Sequence, residues 1–421
     1  IQSGHLGIGD QDRRRAIVAC SKWGQHPQLD DWIIIVGPNR RRRDGMRITA
    51  VESCVVSLPY DMGGPWPSFA GKPWTHLEIL LVKVETDEGL VGWGEAFGHA
   101  AISATKAALD TIVAPLVIGR DAEDIDRLSR DILHAVHLLG RNGPFVFAYS
   151  GIEIALWDIR GKKAGQPLHR LLGGKAERAE LRAYASLLRY GDLALVAKNT
   201  SAARAHGYHH IKLHEVTREA VLAAKNASGV NDASIMLDVN CAWQVLDAIK
   251  MSDALRDDGL TWLEEPVFPP EDCRGLARVR QRGIPIAAGE NVAGVFGFQS
   301  LIEAEAIDIA QPSVTKIGGI GEMLKVIELC RAEGVAVAPH SPYFGPGFIA
   351  TLHIIAAMPE NPLVEVLWLE MEANPFHSFV VPTNGLCKVP RGSGLGCDPD
   401  LTIVDRYKIG ETTRSTQRAP S

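Results

Sequence analysis

Residues 235–240 read Ile235-Met236-Leu237-Asp238-Val239-Asn240, residues 262–266 read Trp262-Leu263-Glu264-Glu265-Pro266, and residues 287–291 read Ala287-Ala288-Gly289-Glu290-Asn291. In each, a short apolar run of strand character ends on an acid, and the three acids are separated by 26 and 26 residues. One strand and its return helix in a barrel take about that length, so equal spacing predicts three carboxylates on neighbouring strands at the same rim. An acid at one strand end could simply cap a helix, but three at matched spacing argue for a shared task. Clustered carboxylates repel and would take up protons unless a cation stands among them. Oxygen-only ligands favour Mg²⁺ over zinc or softer metals.

The pattern extends outward on both sides. Apolar runs at Leu181–Ala185, Ile211–Leu213, Ile235–Leu237, Thr261–Leu263, Ile284–Ala288, Ile307–Ala310, Val335–Ala338 and Val364–Leu367 alternate with amphipathic helical stretches. Eight such units predict a parallel α/β barrel. An open doubly wound sheet is the alternative, but the phosphate-binding glycine motif it would want after its first strand is missing from the sequence. Upstream, Ile48–Ser57, His76–Glu85 and Leu90–Glu95 have period-two character, and helical periodicity follows in Ile102–Leu116, Ala122–Leu139 and Phe145–Ala164. Strands followed by segregated helices predict an α+β unit over 46–170. The glycine- and aromatic-rich loop Tyr60–Trp74, with Trp66 and Phe69, reads as a lid.

The chain of 421 residues has a net charge of -6 and no basic stripe, which disfavours nucleic acid as a partner. Seven scattered cysteines without a C-x-x-C pair fit a reducing cytoplasm. No apolar run of spanning length and no leader peptide is expected, so no membrane partner is expected either. Residues 1–45 lack sustained periodicity and carry the run Arg40–Arg43. The first methionine is Met46, and the segment before it reads as a non-native or disordered extension.

Together with Ala155-Leu156-Trp157-Asp158-Ile159-Arg160-Gly161-Lys162-Lys163, Pro167-Leu168-His169-Arg170-Leu171-Leu172-Gly173-Gly174 and Lys316-Ile317-Gly318-Gly319, the acids resemble the enolase superfamily, mandelate racemase/muconate lactonizing enzyme type. The resemblance runs from about Met46 to about Asp398. It implies a modified TIM barrel of (β/α)7β type over 171–400 under an N-terminal α+β capping domain over 46–170. Residues 386–398 would return to the cap, and 401–421 would be a C-terminal tail. It also implies Asp238, Glu264 and Glu290 as Mg²⁺ ligands, Glu265 and Asn240 as their supports, a small-molecule carboxylate as substrate, and a homo-oligomer.

The remaining chemistry follows from the demands of removing a proton beside a carboxylate: a cation to stabilise the enolate, a base, and an acid. Lys212 and His214, in His210-Ile211-Lys212-Leu213-His214, fall on the family's Lys-x-Lys positions, and alternation points both to one side. His214 reads as the base and Lys212 as the assisting cation, with exchanged roles as the alternative. His340 coincides with the family's catalytic histidine, but Ser313 stands where its aspartate partner is expected, which predicts a less stabilised imidazolium. Lys316 could reach the site instead. Glu365 sits where a family member places an acid that donates a hydrogen bond to the substrate carboxylate; a salt-bridged strand end is the alternative. The expected activity is dehydration of a sugar acid or similar hydroxy-carboxylate to a 2-keto acid. Racemisation or epimerisation, or a barrel that binds metal without chemistry, are the alternatives.

Overall fold

The computed structural model describes residues 45–416 apart from 70, 176–177 and 230–232. The expected extension therefore lies, but for Gly45, outside the described residues. The cap begins with strand β1 (Ile48–Asp61), β2 (His76–Thr86) and β3 (Val91–Ala96), an antiparallel meander. One face buries Leu80, Val82 and Val84 against helix α1 (Pro144–Ala164) through Ala148, Ile152, Ala155 and Ile159. Helix and sheet approach so closely at Gly94 that a Cβ there would lie 1.8 Å from the Gly151 carbonyl oxygen, so no larger residue fits. Pro144 starts α1, where a missing N–H costs nothing, and Gly165 ends it in the left-handed region.

The barrel strands are β4 (Glu180–Leu187), β5 (His210–Leu213), β6 (Ser234–Asp238), β7 (Leu263–Glu264), β8 (Ile286–Ala288), β9 (Ile309–Ala310), β10 (Ala336–Val337) and β11 (Val364–Leu367). They are parallel neighbours in chain order, and β11 pairs back onto β4 through Glu365↔Tyr184. Among the described residues no ladder joins β10 to β11; instead the Ser341 hydroxyl donates to the Glu365 carbonyl at 3.1 Å. A helix follows each of the first seven strands, and none follows β11 before the chain returns to pair with β1 at Tyr60↔Met371. This is the predicted (β/α)7β pattern. Inside the barrel Tyr184, Met236, Trp262 and Ala287 pack with Ile309 and Leu363, so the acids above them rest on a filled floor.

Three expectations are corrected. Of the 386–398 segment expected to return to the cap, Leu386–Lys388 instead pairs antiparallel with β4 of the barrel, while Leu395 does reach the cap, donating its N–H to Asp158 at 2.8 Å. The segment expected as a tail from 401 forms helix Leu401–Tyr407 and strand β12 (Lys408–Thr416), which joins the free edge of β1. An unpaired β1 edge would leave backbone groups unsatisfied, and the Thr-rich 411–416 segment supplies the partner. His99–Val117 is, by length and composition alone, apolar enough to span a membrane, contrary to expectation. It folds as consecutive helical segments on the cap sheet, burying Ile102, Leu109, Val113 and Val117 and pairing Lys106 with Asp110 at 2.6 Å.

Behind the barrel, His353 of helix Pro346–Ala357 is buried beside His169. Its Nε2 donates to the Leu395 carbonyl at 3.1 Å, so Nδ1 is the acceptor for the His169 N–H at 3.2 Å. Burial lowers this imidazole to about 4 from 6.5, the donation to Leu395 opposing and His169 adding. A lowered histidine contributes stability above pH 6.5 that is lost as pH falls towards 4, amounting to about 3 kcal/mol. Denaturant unfolding at pH 7 and pH 4.5 should therefore show a smaller acid loss in His353→Gln than in the wild type.

Candidate active site

The acids emerge at the C-terminal rim because each continues a buried strand. Asp238 ends β6 and pairs in register with Glu264, which ends β7; Glu264 pairs with Ala287, and Glu290 follows β8 after the turn at Gly289. Asn240 fixes Asp238 by donating to its Oδ1 from both backbone N–H (2.9 Å) and Nδ2 (2.7 Å). Trp262 Nε1 donates to Glu264 Oε2 at 2.8 Å. Glu265 faces the other way, accepting the Gly289 N–H at 3.0 Å, and burial pushes it up to about 7.

Lys212 is completely buried, with its Nζ 3.2 Å from Asp238, 2.7 Å from Glu264 and 2.8 Å from Glu365. Burial alone would lower its pKa, but these carboxylates, Glu264 and Glu365 foremost, hold it well above the ordinary lysine value. It is a fixed ammonium and a poor base. His214 stands beside it with Nδ1 2.7 Å from the Leu187 carbonyl and Nε2 3.1 Å from Asp238. A carbonyl can only accept, so Nδ1 carries a proton, and Nε2, which faces the Asp238 carboxylate, is the nitrogen on which a proton can come and go.

Across the mouth, His340 Nε2 lies 2.5 Å from Glu290 Oε2, and its Nδ1 is 2.9 Å from the Ser313 hydroxyl, which also contacts the Tyr343 hydroxyl. The expectation that Ser313 leaves His340 without a carboxylate is corrected: Glu290 supplies one on the other ring nitrogen. Burial would raise Glu290, but His340 and then Lys316 hold it below the usual carboxylate range. Glu365 accepts from Ser186 Oγ at 2.9 Å and from the Ser341 N–H at 3.1 Å besides pairing with Lys212. Burial opposes its ionisation, yet Lys212 outweighs that and lowers its pKa. Its carboxylate therefore accepts hydrogen bonds, in contrast to the expected donor.

The donor set fits a hard divalent cation in chemistry and in burial, since three carboxylates gather at one rim. The expected cage is not closed, however. Among the described residues no three acid, cysteine or histidine side chains surround one point. Asp238 and Glu264 are in contact, while Glu290 is turned to His340. Burial and the neighbouring Asp238 charge push Glu264 well above an ordinary carboxylate, with Lys212 opposing, whereas at Asp238 burial is outweighed by Lys212 and then His214, which keep it low. A shared positive ion would relieve that asymmetry.

The cap contributes residues that no barrel motif announces. Phe97 lies edge-on to His99 at 4.6 Å and to Tyr343 at 6.4 Å, and Trp74 meets His99 at 5.1 Å. Two buried cap carboxylates hold loops of the barrel. Glu95 accepts the N–H groups of Gly345 (3.1 Å) and Gly347 (2.9 Å), and Glu153 accepts those of Ile320 (2.6 Å) and Gly321 (2.8 Å). Gly319 has φ +97, and a Cβ there would sit 2.1 Å from Glu153 Oε2. Gly319→Ala should cost about 3 kcal/mol through strain and displacement of that carboxylate, read as a lower Tm in thermal unfolding.

A cap over an eight-stranded barrel, with acids on three successive strands between two facing imidazoles, defines an enolase-type acid/base site. The chain belongs to the mandelate racemase/muconate lactonizing enzyme family of that superfamily: residues 69–173 match the family's N-terminal domain and 194–403 its enolase C-terminal domain-like part. It is 34% identical to D-galactarolactone cycloisomerase of Agrobacterium fabrum, over 86% of this chain and 99% of that one. It is 29% identical to arabinonate dehydratase of Saccharolobus solfataricus, over 79% and 91% of the two chains. The crystal structure of L-talarate/galactarate dehydratase from Salmonella typhimurium, liganded with Mg and L-lyxarohydroxamate, superposes with a TM-score of 0.77 at 28% identity, covering 91% of this chain and 98% of that one.

Proposed function

We propose that the chain dehydrates a sugar acid to a 2-keto acid by abstracting the proton beside its carboxylate. The observation that carries this reading is the pair of imidazoles, each with Nδ1 tied to the barrel and Nε2 aimed at the acids, one following the second strand and one the seventh. His214 Nε2 takes the α-proton, and the electron pair it leaves forms the enolate. His340 Nε2 gives a proton to the departing β-hydroxyl, so that water leaves and the enol product relaxes to the 2-keto acid. Lys212, held by Glu365 and Glu264, places a fixed positive charge beside the substrate carboxylate. Asp238, Glu264 and Glu290 would hold Mg²⁺, which when bound lowers the energy of the enolate as a Lewis acid. The six described cysteines are free thiols, in keeping with a cytoplasmic enzyme.

A screen of acid sugars with Mg²⁺, detecting 2-keto product, tests the proposal; absence of keto product from every aldonate and aldarate would reject it. A second reading keeps the first step and changes the leaving group, and the cycloisomerase relative favours it. Expelling a ring oxygen from a lactone would leave the product with the mass of the substrate, whereas dehydration loses a water, so mass spectrometry separates the two.

A further inference from the structure

Lys212 and Lys316 both stand at the mouth, and their surroundings differ sharply. Lys212 meets three carboxylates. Lys316 is 9% exposed, yet its Nζ has one long hydrogen bond, 3.4 Å to Asn291 Oδ1, and lies 4.9 Å from the centre of the Phe97 ring. Among the described residues no carboxylate oxygen comes within 4.0 Å of it. A desolvated ammonium with a single weak acceptor is costly, and an anion brought by a ligand would remove that cost. Its place is informative as well. Lys212 is on the second strand and Lys316 follows the sixth, which stand opposite each other in an eight-stranded barrel. Phe97, with His99 packed against it, closes the cap side above Lys316. Asn291 links Lys316 to Glu290, and through it to His340, by donating to Glu290 Oε1 at 3.2 Å.

We propose that Lys316 is an anion subsite that receives a second, distal carboxylate, so that the preferred substrates are diacids. This rests on the reading above, in which the reacting carboxylate lies at the Lys212 side of the mouth. A monoacid of the same length would present a hydroxymethyl group there and leave the ammonium with Asn291, the Phe97 face and the more distant Glu290 charge. Phe97 and Asn291 then act as walls that fix the Lys316 side chain, so little ordering is left to be done when the ligand arrives.

The test is a ratio of affinities, which does not depend on turnover. Calorimetry with Mg²⁺ would compare galactarate with galactonate and glucarate with gluconate, pairs that differ only in carboxylate against hydroxymethyl at the far end. For the wild type, at least one diacid should bind about 100-fold more tightly than its monoacid. In Lys316→Met that ratio should fall to near one, and Lys316→Arg should recover part of it; Lys316→Gln serves if the methionine variant fails to fold. Ratios near one in the wild-type protein for both pairs, or equal weakening of diacid and monoacid in Lys316→Met, would overturn the proposal. Exchange of the α-proton with deuterated solvent, measured alongside, judges the enolate reading separately: a diacid preference without exchange on any acid would reject that reading and leave the subsite standing.

Discussion

In His214→Asn both α-proton exchange and keto-acid formation should fall by about three to four orders of magnitude, because the group that receives the proton is gone. The fold should be retained, since the asparagine Nδ2 takes the place of the histidine Nδ1 and can still donate to the Leu187 carbonyl. His340→Asn should behave differently. Proton abstraction occurs on the other face, so exchange with deuterated solvent should persist while keto-acid formation falls by about 100-fold or more. The pair of variants read by exchange and by product thus assigns base and acid. If His214→Asn kept exchange and Lys212→Met lost it, the roles would be reversed. The triple ion pairing of Lys212 is the physical reason to expect otherwise.

The second large effect concerns the ion. Chelation should abolish activity, and Mg²⁺ should restore it. Glu264→Gln should weaken Mg²⁺ binding by about 100-fold or more, because it removes an ionisable oxygen at the centre of the acid row. Glu264 also sets the direction of the pH dependence. Burial and the Asp238 charge hold its folded-state pKa well above the ordinary value, so the proton must leave before the oxygen can bind an ion. Apparent Mg²⁺ affinity in the wild type should therefore tighten as pH rises, and titration of calorimetric affinity against pH would show a flatter profile in the glutamine variant. An unchanged Mg²⁺ affinity in Glu264→Gln would remove this residue from the ligand set.

Local order along the chain made much of the architecture legible. Strand runs such as Val364–Leu367 were readable to the residue, because a buried parallel strand is a short apolar run with sharp ends. The 26-residue spacing of Asp238, Glu264 and Glu290 placed them on neighbouring strands, and the register confirms that neighbourhood for the first two. The role of β12 was not legible, since Lys408–Thr416 is a polar edge strand whose pairing depends on a partner more than 350 residues upstream. The helical stretch expected over Ile102–Leu116 was legible to within a residue at its C-terminal end, and only the preceding turn His99–Ala101 was not.

By itself, then, the sequence determined the repeating barrel, the rim on which the acids stand and the pairing of Lys212 with His214 on one strand face, because these follow from periodicity and from the fixed length of a strand–helix unit. The tertiary structure alone decided which carboxylate meets which cation: Glu365 serves Lys212 as an acceptor, Glu290 takes the place of the missing partner of His340, and Lys316 faces the cap with a single long hydrogen bond. Those outcomes depend on side chains from distant strands converging in a dry mouth, where a few tenths of an ångström and the loss of water set each group's charge, and no local pattern encodes such a distance.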